Sequence, residues 1–345
     1  MTLRIAIIGT GSFAKRIADA VTLTPDMSVS AVVSGSQDRA SSFASAFSPA
    51  SAYTSISNVK DAGAADAVLI ANATQNHATS AIEAMEAGFP VLCEKPFATS
   101  VEEGEQVLAC AAKTSALFTE DLWTLTLPAV RGAIGAAKTS LGPLHHLRAD
   151  FSITASPETH PRLFKGAAPG ALLDLGVYPI SLAVAVNGPV TDISGLRTDD
   201  ENGVDIASAL TLRHDNDALS QVSCALNAQG SNDAAIAGRG GRVRIPEPLL
   251  GAERFHVALN GEPQPSDGSS SGGLKARIKA NPLARKAKSA LDGLKATTAS
   301  YGTDQYTPML QHFHELVRAG TTESPLVPHA LSRETLRIIS AARAL

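Results

Sequence analysis

Aromatic residues, cysteines and charged residues are all scarce in this chain of 345 residues. Phe, Trp and Tyr together make up 4%, there are 3 cysteines, and charged residues reach 18%. Cys93, Cys110 and Cys224 are too widely spaced for a disulfide framework or a CxxC metal site, which fits a reducing compartment. Hydrophobic residues, mainly Ala, Val, Leu and Ile, make up 44%, which excludes disorder and is typical of a soluble α/β protein.

Long apolar runs and an excess of basic charge are also missing. No window approaches the roughly 18 continuous apolar residues of a membrane helix. The opening run Ile5–Ile8 is shorter than the roughly 7 to 15 residues of a signal-peptide core, so we expect a cytoplasmic protein without a membrane partner. The net charge of -4 argues against nucleic acid as the main partner and favours a small molecule.

The apolar pattern changes near residue 120, and the length favours two domains. Up to about Thr119, short apolar runs alternate with amphipathic segments, as in a parallel sheet covered by helices on both faces. From about Leu144, longer alternating stretches predict a mainly antiparallel sheet with one free face. We predict a dinucleotide-binding domain over 1–122 and a C-terminal domain over 123–345 that ends in a helix over Leu331–Leu345. Strands are predicted at Leu3–Ile8, Val29–Val33, Ala67–Ile70, Pro90–Cys93, Ala116–Phe118, His145–Ile153, Ala207–Arg213, Leu219–Leu226 and Ala234–Ala237, and further helices at Ala14–Val21, Asp38–Phe47, Ala78–Ala87 and Val101–Lys113.

The segment Gln264–Ser300 fits neither pattern. It begins with a Ser/Gly-rich stretch and then carries seven Lys and Arg residues against two Asp residues in the whole segment. Such a start cannot bury enough apolar area to order itself, so we predict a mobile, surface-exposed insertion outside the catalytic core. Helical spacing in its later part leaves three roles open: a solvated helix, a contribution to assembly, or a lid or contact with an anionic surface.

A glycine-rich turn directly follows the first predicted strand and precedes an amphipathic helix. In Gly9-Thr10-Gly11-Ser12-Phe13-Ala14, Gly9 permits a tight turn, Gly11 lets a pyrophosphate approach the backbone, and small Ala14 allows close helix packing. The pattern predicts a dinucleotide site at the helix N-terminus. A purely structural turn remains the alternative.

The position that usually binds the adenosine ribose carries no acid. About 20 residues beyond the loop stand Ser34, Gly35 and Ser36, where NAD-binding proteins carry Asp or Glu. An acid there would repel a 2′-phosphate, so its absence favours NADP over NAD. Arg39 follows closely, although it equally fits an exposed helix residue.

Two further motifs carry groups suited to proton transfer. Glu94-Lys95-Pro96 follows a predicted strand, and ligands bind at the carboxyl ends of parallel strands. Asp174 and Tyr178 are four residues apart and would share a helix face, where Tyr could relay a proton and Asp could orient it. The alternatives are a surface Glu–Lys pair and a structural Asp–Tyr hydrogen bond.

Together these motifs resemble the glucose-fructose oxidoreductase and inositol dehydrogenase family, Gfo/Idh/MocA. The resemblance covers most of the chain and rests on the glycine loop, Glu94-Lys95-Pro96 and the segment Gly170–Ile180. Further matches are His77, Leu122-Trp123-Thr124 and Arg162-Leu163-Phe164. The Gly170–Ile180 segment is most similar to the branch that holds dimeric dihydrodiol dehydrogenase and the xylose and glucose dehydrogenases.

The resemblance implies an α/β protein with an N-terminal Rossmann doubly wound parallel sheet. Its C-terminal α+β domain would carry an open, mainly antiparallel sheet whose free face forms a homodimer or higher oligomer. It also implies an NAD(P)-dependent oxidoreductase that moves a hydride between nicotinamide and a secondary alcohol or carbonyl of a sugar, polyol or cyclic diol. No metal is expected.

The resemblance assigns roles to individual residues. Lys95 and Tyr178 would handle the hydroxyl proton and the alkoxide charge, and Asp174 would support them. Besides the glycine loop, Ser34–Ser36 and Arg39, the predicted cofactor ligands are Ala71, Asn72, His77, Glu94 and Lys95, and the predicted substrate ligands are Trp123, His160 and Arg162.

Three departures from the family pattern bear on these assignments. Asn72-Ala73 replaces a frequent Thr-Pro, Leu125 replaces a frequent Arg, and Gly35 stands where NADP-using relatives often carry Arg. Two alternatives stay open: a reductase of a different carbonyl substrate, and a catalytically inactive nucleotide-binding sensor or partner protein. The complete set of Lys95, Asp174 and Tyr178 argues against the second.

Overall fold

Residues 2–260 and 296–345 are described by the computed structural model, and their strands form two sheets. The first sheet has six strands in the order β3-β2-β1-β4-β5-β6, and every pair in it is parallel. This is the order of a doubly wound dinucleotide-binding sheet. Its strands are β1 (Leu3–Ile8), β2 (Met27–Val33), β3 (Ser51–Tyr53), β4 (Ala67–Ile70), β5 (Val91–Cys93) and β6 (Phe118–Glu120).

Helices cover both faces of this sheet. In β1, Ile5 and Ile7 point into one apolar core, while Ala6 and Ile8 point into another on the opposite face. Serines begin three of the helices: the side chains of Ser36, Ser55 and Ser100 accept the first free backbone N–H groups of α2, α3 and α5. The helices are α1 (Ser12–Leu23), α2 (Gln37–Ala44), α3 (Ile56–Asp61), α4 (His77–Glu86) and α5 (Val101–Thr114).

The structure shifts some predicted boundaries in this half. The predicted strand Ala116–Phe118 is found at Phe118–Glu120, because the strand continues into polar residues that are buried. The predicted helix Asp38–Phe47 ends at Ala44. Strand β3 and helix α3 were not predicted, since both are short and carry several polar residues.

The second sheet has eight strands in the order β14-β13-β12-β11-β7-β10-β9-β8. All its pairs are antiparallel except β7 with β10. Helices α6 and α8 contact one face, while Arg148, Gln221 and Arg242 are exposed on strands of this sheet. The elements are α6 (Pro128–Ser140), β7 (Leu144–Ser152), α7 (Pro161–Phe164), α8 (Val177–Asn187), β8 (Val190–Asp199), β9 (Asp205–His214), β10 (Leu219–Ala225), β11 (Ala234–Gly238), β12 (Gly241–Ile245), β13 (Arg254–Leu259) and β14 (Ala296–Thr298).

The predicted insertion Gln264–Ser300 is described only at its end. Residues 264–295 lie outside the described residues, and the predicted mobility and helix belong to that part. Ala296–Thr298 forms β14, which pairs with β13 at the edge of the second sheet. These three residues therefore belong to the second sheet, while the prediction that the segment lies outside the catalytic core stays a prediction.

The chain ends in two helices, α9 (Thr307–Ala319) and α10 (His329–Ala342). Helix α10 contacts both halves of the molecule. Arg333 pairs with Glu105 of α5 at 2.5 Å, and Glu334 Oε1 accepts the N–H of Val190 at the start of β8 at 2.7 Å. The predicted C-terminal helix therefore packs against both halves. Within 2–260 and 296–345, no helix is long and apolar enough to cross a membrane.

Candidate active site

A cavity of about 1010 Å³ opens at the carboxyl ends of β1, β2, β4 and β5. The strand order reverses between β1 and β4, so the connections leave in opposite directions and a crevice remains between them. Residues from the second half of the chain form the opposite wall. The predicted site residues that line the cavity are Gly9, Thr10, Gly11, Ser12, Phe13, Ser34, Gly35, Arg39, Ala71, Asn72, His77, Glu94, Lys95, Arg162, Asp174 and Tyr178.

Gly9 and Gly11 of the loop are glycines for different reasons. Gly9 has φ +119°, and a Cβ there would lie 2.6 Å from the carbonyl oxygen of Ala71. At Gly11 a Cβ would meet no atom of the described residues within 4 Å, and φ is an ordinary -77°. The fold therefore needs Gly9, whereas the bare backbone at Gly11 faces open space in the cavity.

This loop fits the pyrophosphate of a dinucleotide. Helix α1 begins at Ser12 beside the cavity, and no side chain in the described ranges caps its N-terminus. Its free N–H groups and the open space at Gly11 form an anion-binding cradle. Ala14 is fully buried below the loop and does not line the cavity, so it serves the close packing of α1 rather than direct contact.

The end of β2 supplies the polar residues expected at the adenosine ribose. Ser34, Gly35 and Arg39 line the cavity, and Arg39 Nε lies 3.4 Å from Ser34 Oγ. Ser36 caps α2 and lies outside the lining. The described lining residues include three acids, Glu83, Glu94 and Asp174, and none of them lies in the segment directly after β2.

Lys95 joins the two walls of the cavity. Its Nζ donates to the backbone oxygen of Asp174 at 2.8 Å and to Asp174 Oδ1 at 3.2 Å, and it lies 4.8 Å from the centre of the Tyr178 ring. Burial alone would lower the pKa of Lys95, but Asp174, Tyr178 and Glu94 outweigh burial and raise it. Lys95 is therefore a cation at neutral pH, with one of its three N–H groups left for a ligand.

Asp174 and Tyr178 both line the cavity, but no hydrogen bond joins their side chains in the part of the chain that the structure describes. Asp174 lies in a π-helical turn, Leu172–Gly176, and Tyr178 lies at the start of α8, which follows directly. Each contacts Lys95 instead, and Tyr178 Oη accepts the indole N–H of Trp123 at 3.4 Å. Burial raises the pKa of Tyr178 to about 12, so the hydroxyl is a proton donor at neutral pH.

His77 ties two loops of the cavity together. Its Nδ1 lies 2.8 Å from the backbone oxygen of Pro96, and its Nε2 lies 3.3 Å from that of Asn72. Burial lowers the pKa of His77, so the ring is neutral. The side chain of Asn72 is in turn held by Ser80, with Nδ2 2.8 Å from Oγ.

The three predicted substrate ligands lie in different surroundings. Arg162 lines the cavity, with its side chain 70% exposed and Nη1 3.3 Å from Asp174 Oδ1. Trp123 is buried behind Tyr178 and contacts the tilted ring of Tyr306 at a centroid distance of 4.9 Å. His160 is exposed, and its Nδ1 lies 2.9 Å from Thr159 Oγ1. Neither Trp123 nor His160 belongs to the cavity lining.

Two groups of site residues were missed at the sequence level. Phe151, Leu175 and Leu250 add apolar surface to the lining, and no local sequence signal marks them. Glu120 and Asp121 are buried next to the end of β5. The sequence did carry a signal for Glu120 and Asp121, because acids at the end of a parallel strand lie at the same sheet edge as Glu94. Among the residues that the structure describes, no cluster of His, Cys, Asp and Glu could hold a metal ion.

Two family models match the chain. The model described as "Oxidoreductase family, NAD-binding Rossmann fold" matches residues 3–122, and the "GFO/IDH/MocA C-terminal domain" matches residues 136–244. These matches cover more than half of the sequence. The chain belongs to the Gfo/Idh/MocA family. It is therefore an oxidoreductase with an NAD-binding Rossmann domain and a mainly antiparallel second sheet, as the sequence motifs predicted.

Named Gfo/Idh/MocA relatives act on several substrates. The trans-1,2-dihydrobenzene-1,2-diol dehydrogenase of Bos taurus is 27% identical over 253 residues, 72% of this chain and 75% of its own length. The scyllo-inositol 2-dehydrogenase (NADP(+)) IolU of Bacillus subtilis (strain 168) is 28% identical over 219 residues, 62% of this chain and 67% of its own length.

A solved structure has the same fold over nearly the whole chain. The aldose-aldose oxidoreductase from Caulobacter crescentus, complexed with glycerol, superimposes with a TM-score of 0.80 at 21% identity. The match covers 99% of this chain and 96% of that protein. None of these relatives is named as an inactive sensor, so the comparisons give that alternative no support.

Proposed function

We propose that this oxidoreductase binds NADP in preference to NAD and interconverts a secondary alcohol and a carbonyl on a cyclic substrate, a sugar, polyol or diol. The observation that carries the proposal is the cluster of Lys95, Asp174 and Tyr178 on the wall of a cavity that begins at the glycine loop. Phe151, Leu175 and Leu250 add apolar surface, which suits one face of a ring.

The side chains of this cluster can transfer the hydroxyl proton and stabilise the charge on the substrate oxygen. When bound, the nicotinamide cofactor accepts or supplies the hydride. In the reductive direction, the neutral Tyr178 hydroxyl supplies the proton that the carbonyl oxygen needs. The Lys95 cation stabilises the negative charge that develops on that oxygen, and Asp174 holds the cation in place. Oxidation reverses these steps.

The preference for NADP rests on the end of β2. Ser34 and Arg39 offer a hydroxyl and a guanidinium to a 2′-phosphate, and the described lining residues between β2 and β3 include no acid that would repel one. The Bacillus subtilis relative carries NADP(+) in its name. Direct titration of the protein with NADP and NAD tests the preference, and tighter binding of NAD would contradict it.

The chemical roles are tested with Lys95→Met and Tyr178→Phe. Each should lower kcat about 100- to 10,000-fold, the usual cost of losing a positioned proton-transfer group, and should change the Kd of the cofactor little. Steady-state kinetics on a panel of sugars, polyols, cyclic diols and other carbonyl compounds provides the readout. It also separates the alcohol substrates from the alternative carbonyl substrates.

Tyr306→Phe is the matched control, because Tyr306 is a buried tyrosine that contacts Trp123 and does not line the cavity. It should keep the kcat of the unmodified protein. If Tyr178→Phe also keeps it, Tyr178 is structural and Lys95 alone handles the proton.

A further inference from the structure

Three carboxyl groups are buried at the carboxyl ends of β5 and β6, and one of them, Glu94, lines the cavity. Glu94 follows β5, while Glu120 ends β6 and Asp121 follows it, and they are 5%, 2% and 1% exposed. The parallel ladder aligns Cys93 with Glu120, and the N–H of Asp121 donates to the backbone oxygen of Cys93 at 2.7 Å. Glu94 and Asp121 therefore leave neighbouring strand ends next to each other.

These acids are short of hydrogen-bond donors. Glu120 Oε1 accepts the N–H of Phe97 at 3.2 Å. Glu120 Oε2, Glu94 Oε1 and both carboxyl oxygens of Asp121 are buried without a partner among the residues that the structure describes. An ionised carboxylate in such surroundings is strongly disfavoured, and two side by side are more so.

One proton shared between two carboxyl groups removes this conflict. A protonated carboxyl donates an O–H to the other, which gives a partner to oxygens that otherwise have none. Burial raises the pKa of Asp121 to about 6, and burial together with Asp121 raises the pKa of Glu94 well above its ordinary range. Other titratable groups interact electrostatically with these acids: Lys95, Glu120, Cys93, Tyr178 and Tyr306.

We propose that Glu94 and Asp121 share one proton and form a buried acid pair with a single negative charge, which favours the oxidised cofactor over the reduced one. Glu94 lines the cavity, whereas Asp121 does not and acts through Glu94, as a positioning residue. The inference rests on the proposed function. The nicotinamide ring carries a positive charge only when it is oxidised, so a negative charge at the cavity wall binds the two forms unequally.

The test measures the Kd of NADP and of NADPH, by calorimetry and by fluorescence, from pH 5 to 8. The ratio of the two constants cancels titration of the 2′-phosphate, which both forms carry. In the unmodified protein, the preference for NADP should weaken as the pH falls through about 6, because the pair then gains its second proton and loses its charge.

Three variants and a control separate charge from packing. In Glu94→Gln and Asp121→Asn, an amide N–H replaces the shared proton and a single carboxyl remains. The weakening should then follow the pKa of that one carboxyl, at a pH that differs from the step of the coupled pair in the unmodified protein. The double variant should bind NADP about tenfold more weakly at pH 8 and lose the weakening near pH 6, with the Kd of NADPH nearly unchanged. Glu120→Gln identifies any titration that Glu120, whose pKa burial raises to about 7, contributes. Thr119→Val, which removes an uncharged buried hydroxyl from β6, should behave as the unmodified protein.

Infrared spectra provide a second readout that does not depend on the double variant folding. The unmodified protein should show the C=O band of a protonated carboxyl that disappears in each single variant, with Glu120→Gln identifying the band of Glu120. A band that persists in both single variants, or a Kd ratio that titrates in them as in the unmodified protein, overturns the acid pair. Failure of the unmodified protein to bind either cofactor form would instead overturn the proposed function.

Discussion

At the scale of single residues, Lys95 shows how the site depends on both halves of the chain. It follows a strand of the first sheet, yet its Nζ is held by Asp174 from the second half. Both side chains are mostly buried, 10% and 16% exposed, and removing one partner of a buried pair leaves the other charge uncompensated. The loss of activity in Lys95 variants should therefore be accompanied by a loss of stability, which a methionine of similar length minimises.

The proposed cofactor preference can be tested at Ser34. Ser34→Asp places a carboxylate beside Arg39, whose Nε lies next to Ser34 Oγ in the unmodified protein. The new carboxylate would pair with Arg39 and repel a 2′-phosphate. We expect the Kd of NADP to rise about tenfold or more, while the Kd of NAD stays equal or falls. Ser36→Asp is the control, because Ser36 caps α2 outside the cavity and Asp is an equally good cap. A Ser34→Asp protein that still prefers NADP would contradict the assignment.

At the scale of elements, the turn between β1 and α1 combines a folding requirement with a binding requirement. Gly9→Ala should lower the stability of the protein by more than 1 kcal/mol, since it combines a positive φ with a blocked Cβ. Gly11→Ala should leave stability almost unchanged and weaken cofactor binding about tenfold, because its Cβ projects into the cavity. Urea unfolding and cofactor titration measure the two effects. Equal effects of both variants on stability would refute the distinction.

The first half of the fold was largely predictable from local sequence, because its elements carry their own signals, except the short β3 and α3. Strand β1 is directly followed by the glycine turn, and Ser36 and Ser100 precede α2 and α5 as typical N-cap residues. The π-helical turn around Asp174 was not predictable in this way, because its environment is set by a partner far along the chain, Lys95. The burial of Glu120 and Asp121 was missed although their position at the end of a parallel strand was a local signal.

At the scale of the whole molecule, helix α10 connects the two halves through its apolar side. Leu336 is 4% exposed and belongs to the core on one face of the first sheet, whereas Leu331, Ile338 and Ile339 belong to the other large core. Leu336→Ala should therefore lower the free energy of unfolding by about 2–5 kcal/mol and leave a single cooperative transition. Arg333→Ala, which removes only an exposed pair with Glu105, should cost at most about 1 kcal/mol.

Urea unfolding followed by Trp123 fluorescence and by far-UV circular dichroism checks this prediction. The single tryptophan lies at the junction of the halves, so its signal reports on their contact. Two separate transitions in the Leu336→Ala protein would show that each half has its own stability and that α10 does not couple them.

The position of Leu336 also bears on how the protein is made. The strands of the first sheet leave the ribosome before residue 125, yet one side chain of their core arrives more than two hundred residues later. At about 5–20 residues per second, the nascent first half waits roughly 10 to 40 seconds with an apolar seam uncovered. We expect chaperones to bind this uncovered surface during that interval, and incomplete chains to associate there.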